Sequence, residues 1–332
     1  MSALDTFRYE APTVRSSGQG GETAPALTRY GSLTSTVPKE LVHRAAVAEV
    51  LLTGWERRGD ARFAVTAQWP RAHSFFTLAN GTHYDPLMVT ETIRQVGSLL
   101  AHAEFDVPLG HQFLMRDLQV AVEPQHLGLE GVPASLELEV DFTDVKQRRQ
   151  GHAGASYEVV VRRDGHVVAT GGAAYTCVSP EVYQRVRAGR LSAGRPALRL
   201  TAPVSPQSVG RMSPMDVVLS PLGETHRWQL RVDSRHPILF DHPVDHVPGM
   251  VLIEAARQAT IAVLTPMAPA GAFLLPTRIV SGFQRYAELD SPCFIEAQAV
   301  PAGPDEGLVL VTGRQNGEPL FSTTVTARSI RA

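Results

Sequence analysis

The chain repeats itself. Residues 73–96 read HSFFTLANGTHYDPLMVTETIRQV and residues 236–259 read HPILFDHPVDHVPGMVLIEAARQA, in register without gaps at a constant offset of 163 positions. His73 meets His236, His83 meets His246, Glu91 meets Glu254, and Arg94-Gln95 meets Arg257-Gln258. Five polar identities in one register do not arise by chance, so any fold for this sequence is built from two similar units. A chain of 332 residues has the length for two cores.

Each copy predicts one long helix. Pro86 and Pro248 stand where a helix begins, a position that tolerates a missing N–H. Met250 to Leu264 is apolar apart from Glu254, Arg257, Gln258 and Thr260. A helix that is apolar all round is a buried one. Pro108 and Pro266 close the two helical stretches. Strand-like segments follow each helix: about Phe113–Val122, Ala134–Phe142, Ala155–Arg163 and His166–Cys177, then Thr277–Glu288, Cys293–Val300, Gly307–Arg314 and Pro319–Arg328. One more precedes each helix, near Arg62–Trp69 and Trp228–Val232. Asp164-Gly165 and Asn316-Gly317 sit between the last two strands of each set and predict type I′ hairpins. A buried helix wrapped by an antiparallel meander is the hotdog arrangement. The expected fold class is therefore α+β, a tandem double hotdog: two antiparallel sheets, each around a central helix, forming an internal pseudo-dimer. The expected organisation is a flexible tail over 1–37, a first repeat over 38–185, a Pro-, Gly- and Ser-rich linker over 186–223 and a second repeat over 224–332.

Composition excludes several classes. A formal net charge of −2 supplies no basic surface for nucleic acid or anionic membrane. No run approaches the roughly 18 apolar residues of a membrane span, and the first residues lack a signal-peptide pattern. Cys177 and Cys293 are too few for a disulfide framework or a zinc ribbon and read as buried thiols in a reducing compartment, so a cytoplasmic location is expected.

The second copy carries the sharper chemistry. Glu254, Arg257 and Gln258 are spaced i, i+3, i+4 and project from one face of the helix, bringing charge into an otherwise apolar element. The same spacing also suits an ion pair that satisfies only itself. His246 precedes Pro248-Gly249, and the free backbone N–H groups at Gly249 and Met250 could hold the oxyanion of an acyl transfer. Asp85-Pro86-Leu87 takes this place in the first copy, so the two sites are expected to differ and the second to be the working one. Glu254 in an apolar tunnel would have a raised pKa suited to a general base, with His246 as the other candidate and Glu91 as the first-copy counterpart. Arg257 would hold an anionic group, Gln258 would support it, and Arg94, Arg278 and Arg285 are looser candidates. A metal site at His242 and His246 is not supported, because the segment reads as a loop with too few ligands. The His236-to-Asp241 spacing matches a short acyltransferase pattern that the first copy lacks, and is discounted. No serine elbow or P-loop is present, and no cofactor is expected.

His246 to Ala259, with Arg285-Tyr286-Ala287-Glu288, Asp290-Ser291-Pro292-Cys293, Leu41-Val42-His43-Arg44 and Asp85-Pro86-Leu87, resembles the A-factor biosynthesis (AfsA-type) hotdog family over nearly the whole chain. The resemblance implies an acyltransferase that moves a β-ketoacyl group from acyl carrier protein to dihydroxyacetone phosphate, the first step toward γ-butyrolactone-type autoregulators that control antibiotic production. It also implies functional roles for Glu91, Glu254 and Arg257. A more distant likeness to hotdog dehydratases leaves His242 and His246 as alternatives for an active histidine. The residues themselves leave open a hotdog thioesterase or dehydratase, and a non-catalytic module that binds an acyl lactone.

Overall fold

The computed structural model describes residues 34–148, 151–191, 197–269, 271–303 and 306–330. The elements run β1 (Leu52–Arg57), β2 (Arg62–Trp69), α1 (Pro86–Glu104), β3 (Gln112–Val122), β4 (Ala134–Phe142), β5 (Lys146–Arg148), β6 (Gly151–Arg163), β7 (His166–Val178) and α2 (Pro180–Leu191) in the first half. The second half contains β8 (Leu219–Pro221), β9 (Arg227–Leu230), α3 (Gly249–Leu264), β10 (Phe273–Phe283), β11 (Cys293–Val300), β12 (Glu306–Gln315) and β13 (Glu318–Ile330). Alternating side chains set each strand's face, as in β4, ASLELEVDF, whose odd positions are buried and even positions exposed. The Asp164-Gly165 and Asn316-Gly317 turns have positive φ at both residues, as a type I′ hairpin requires.

The strands are ordered β1-β2-β4-β6-β7-β3-β10-β13-β12-β11-β9-β8, with β5 alongside β6. The halves are mirror images in this order, and β3 pairs antiparallel with β10 from Arg278↔Ala121 to Gly282↔Asp117. Two hotdog sheets thus fuse into one, with each half still wrapping its own helix. Glu91 and Glu254 are buried within α1 and α3, as are most residues of both helices. Tyr157 on β6 donates to Ile93 O of α1 at 2.8 Å, and Gly97 leaves room for that ring: a Cβ there would lie 2.5 Å from the phenol oxygen.

Two boundaries differ from expectation. The expected linker, 186–223, carries the end of α2, two short 3₁₀ turns and β8. Its later part is the start of the second repeat: Val204-Ser205-Pro206-Gln207-Ser208-Val209-Gly210-Arg211 answers Val37-Pro38-Lys39-Glu40-Leu41-Val42-His43-Arg44, now at an offset of 167. The change of offset marks four fewer residues between this turn and the helix in the second copy, which hid the match. Of the expected tail, residues 1–33 lie outside the described residues, whereas buried Val37 donates its N–H to Leu52 O at 3.0 Å. Among the described residues no helix is long and apolar enough to cross a membrane.

Candidate active site

Each helix glutamate sits in a knot built by the duplicated turn. In the second half Arg211 donates through Nε and Nη2 to the two oxygens of Glu254, both at 2.7 Å. Arg257 donates to the same oxygens at 2.7 and 2.9 Å, and Gln258 Nε2 adds a bond of 2.5 Å. In the first half Arg44 Nε donates to Glu91 at 3.0 Å, Arg94 at 2.9 and 2.8 Å, and Gln95 at 2.7 Å. The two arginines of the turn reach across the pseudo-twofold axis: Arg211 Nη1 donates to Phe75 O, and Arg44 Nη1 to Ile238 O. His73 and His236, the aligned histidines, each accept two backbone N–H bonds at Nδ1 and so shape the loops before the helices.

One knot is closed and the other is open. Asp85, the cap of α1, aims Oδ2 at the second-half knot, 3.4 Å from Arg211 and 3.6 Å from Arg257. Two guanidiniums there face two carboxylates, and the Arg257 side chain is only 1% exposed. The position of Asp85 in the second copy is Pro248, which brings no carboxylate to the first-half knot, and the Arg94 side chain is 20% exposed. A cavity of about 240 Å³ opens at that point. Its walls include Arg44, Arg94 and His43 from the first half, and His242, His246 and Gly249 from the second.

The cavity lies between the start of α3 and the middle of α1. Pro248 caps α3 without a side-chain bond, whereas Asp85 accepts from Leu87 N at 3.0 Å at the start of α1. The amide of Met250, the counterpart of Leu87, thus has no such cap, and with that of Gly249 it stands at the positive end of the helix. His246 Nδ1 lies 2.7 Å from Asp245 Oδ1. Asp245 also accepts from Tyr183 Oη at 2.6 Å and from Arg187 Nε at 3.1 Å, and Arg187 is anchored in turn by Glu288. Burial pushes the Asp245 pKa up, but the bonds from Tyr183, His246 and Arg187 outweigh it and hold it at about 2. A carboxylate fixed in this way orients the imidazole.

The structure therefore brings His246, Gly249 and Arg94 together, with Glu91 behind Arg94. It does not bring Glu254, Arg257 or Gln258 into the cavity. Burial raises the Glu254 pKa, yet the charges and bonds of Arg211 and Arg257 overcome this and depress it to about 2, the reverse of the raised value expected for a base. Glu91 is held at about 2 by Arg44 and Arg94 against the same burial. Arg278 is exposed on β10 away from the cavity, and Arg285 pairs with Glu318 at 57% side-chain exposure, so neither fits the anion-holding role considered for it. His242 and His246 both line the cavity. Arg211 was invisible to the 163-residue register; the 167-residue repeat of the Val-x4-Val-x-Arg pattern is the signal that finds it. Tyr183 and Arg187 come from α2, which lies outside the stretches that the two repeat registers align. Among the described residues no cluster suits a metal ion.

The A-factor biosynthesis hotdog domain matches twice, over residues 26–179 and 193–331. The chain belongs to this family. A 2-oxo-3-(phosphooxy)propyl 3-oxoalkanoate synthase of Streptomyces virginiae is 55% identical over 299 residues, covering 89% of this chain and 99% of that one. A protein of the same name from Streptomyces coelicolor is 44% identical over 291 residues, 87% and 90% of the two chains. Among solved structures, the 12:0-ACP thioesterase from Umbellularia californica matches 80% of this chain and 94% of its own, with a TM-score of 0.50 and 10% identity, a likeness of fold. The two matched domains differ in this chain at their helix knots: the second-half knot is filled by Asp85, and a cavity opens beside the first-half one.

Proposed function

We propose that this protein is a 2-oxo-3-(phosphooxy)propyl 3-oxoalkanoate synthase, which transfers a β-ketoacyl group from a thioester to the free hydroxyl of dihydroxyacetone phosphate. The observation that carries this reading is the open cavity, which sets the uncapped start of α3 at Gly249 and the Asp245-held His246 opposite the Arg44–Arg94 pair. The thioester carbonyl binds at the start of α3, where the amide of Gly249 takes the oxyanion. The Arg94 guanidinium, held by Glu91 and joined by Arg44, takes the phosphate of the acceptor. The acceptor hydroxyl oxygen attacks the carbonyl carbon, and the carbon–sulfur bond breaks as the oxyanion collapses. One proton passes from the hydroxyl to the departing sulfur, and His246 is placed to handle it. Glu254, Arg257 and Gln258 serve as scaffold, holding the second-half knot against Asp85.

The donor in this reading is acyl carrier protein, whose pantetheine arm delivers the thioester, and the product leads toward γ-butyrolactone-type signals. The test is incubation of the purified protein with β-ketoacyl thioesters of carrier protein, coenzyme A and pantetheine, with and without dihydroxyacetone phosphate, followed by mass spectrometry. The expected product is the β-ketoacyl ester phosphate, formed only when the acceptor is present and fastest from carrier protein. Free acid formed at the same rate without acceptor would make the protein a thioesterase. Water loss from a hydroxyacyl thioester would make it a dehydratase. Tight binding of an acyl lactone with no turnover would make it a sensor.

A further inference from the structure

The two copies diverge at one backbone position beside the cavity. In the duplicated turn His43 (φ 53°) and Gly210 (φ 67°) both take the left-handed conformation. Glycine adopts it freely, whereas histidine holds it only where the surroundings enforce it, a pattern that clusters at working sites. The enforcement is visible. Arg44 N donates to Lys39 O at 3.0 Å, and Asp241, reaching across from the second half, accepts from Ala45 N at 2.5 Å and Ala46 N at 3.1 Å. Leu78 occupies the position of Asp241 in the other copy, so the closed site has neither the imidazole nor its clamp.

The neighbours dictate where the His43 proton sits. His102 Nδ1 lies 2.6 Å from Val107 O, and only an N–H can bond to a carbonyl. Burial keeps His102 neutral by lowering its pKa, so its Nε2 carries a lone pair. That atom lies 2.8 Å from His43 Nε2, which must then carry the hydrogen. Burial, Arg94 and the imidazoles of His102 and His242 hold the His43 pKa at about 3, leaving Nδ1 a bare lone pair. No described residue donates to it. Among the described residues, the charged and titratable groups that share the cavity with His43 are Arg44, Arg94, Asp241, His242, His246, Tyr157 and Tyr175, and His102 bonds to it. His246 has the opposite setting, with the Asp245 carboxylate rather than a guanidinium beside it, 2.7 Å from Nδ1. Two histidines on one cavity, one set beside a guanidinium and the other on a carboxylate, are placed to divide base from acid.

We propose that His43 Nδ1 is the base that takes the acceptor's hydroxyl proton, while His246 Nε2–H gives a proton to the departing sulfur, and that the acceptor's phosphate arms His43 by neutralising Arg94. The assignment rests on acyl transfer to dihydroxyacetone phosphate at this cavity. The hydroxyl O–H bond breaks toward Nδ1, the oxygen–carbonyl carbon bond forms, the carbon–sulfur bond breaks, and the thiolate is protonated by His246. The two imidazoles exchange their protons with solvent between turnovers. Burial is the larger cause of the weak basicity of His43 and Arg94 the next; an acceptor phosphate offsets the second and water brings no such anion, which favours transfer over hydrolysis at this cavity.

The test compares wild type with His43→Gly, the residue that Gly210 already is in the second copy and one suited to the same φ; thermal melting and circular dichroism check the fold. His43→Gly is expected to lower kcat for ester formation at least 100-fold while leaving the KM for the thioester within about twofold. Dihydroxyacetone lacking the phosphate is expected to be a poor acceptor that inorganic phosphate rescues at least tenfold in wild type and not in His43→Gly. Nitrogen-15 NMR is expected to show the Nε2–H form of His43, with inorganic phosphate moving its resonance toward the protonated form. A folded His43→Gly that keeps more than a tenth of the wild-type kcat overturns the assignment and leaves the acyl transfer standing. Absence of rescue in wild type overturns the arming by phosphate. No ester from wild type overturns both readings together.

Discussion

Replacing Glu254 by glutamine separates scaffold from chemistry. The carboxylate is fully buried and receives hydrogen bonds from Arg211, Arg257 and Gln258 at 2.5–2.9 Å. The amide is nearly the same size but cannot accept all these bonds, and its own NH₂ faces guanidinium donors. Arg211 and Arg257 would then keep Asp85 as the carboxylate they share, at 3.4 and 3.6 Å, beside the carbonyls of Phe75 and Val209. Removing one partner from a buried charge cluster costs about 3–5 kcal/mol. A fold of this size loses roughly 2 °C of Tm per kcal/mol, so the midpoint should fall by about 6–10 °C. Because Glu254 does not line the cavity, kcat measured well below the midpoint should stay within about threefold of wild type. Calorimetry and steady-state kinetics on the same preparation read both quantities. A variant that keeps its Tm within 2 °C and loses 100-fold or more in kcat would place Glu254 in the reaction and refute the reasoning.

Other outcomes follow from the same geometry. His246→Asn should lower kcat about 10²- to 10⁴-fold with little change in Tm, since the ring is partly exposed and its contacts are peripheral to the core, as kinetics and melting will show. Gly97→Ala should destabilise the first half by about 1–3 kcal/mol in urea unfolding, because the new methyl meets the Tyr157 phenol that is bonded to Ile93 O. Acid should unfold the protein in two stages. His43 has a folded pKa of about 3, below its unfolded value, so the unfolded chain binds the extra proton and stability falls as pH drops from about 6.5 toward 3. Glu91 and Glu254, with folded pKa values of about 2, contribute fully above about pH 4.5 and lose that contribution as pH falls toward 2. Urea midpoints measured from pH 7 to pH 3 should show both slopes, and His43→Gly should flatten the upper one alone.

The repeat, the buried helices and the Asp-Gly and Asn-Gly hairpins were legible in the amino-acid order, because each depends on neighbours within a few residues or on a register copied whole. So was the start of α3 at Pro248-Gly249, a helix start that lacks a side-chain cap. Which charges remain open to a ligand was decided only in three dimensions. Glu91 and Glu254 occupy equivalent positions with equivalent helix partners, and nothing local distinguishes them. Arg44 and Arg211 arrive alike from turns more than 40 residues away in the same half, and the difference comes from across the pseudo-twofold axis, where one half offers Asp85 and the other Pro248. Charge balance in a buried cluster is a sum over every group that packs against it, and here the group that tips the sum, Asp85, reaches the second-half knot only when the two halves close on each other.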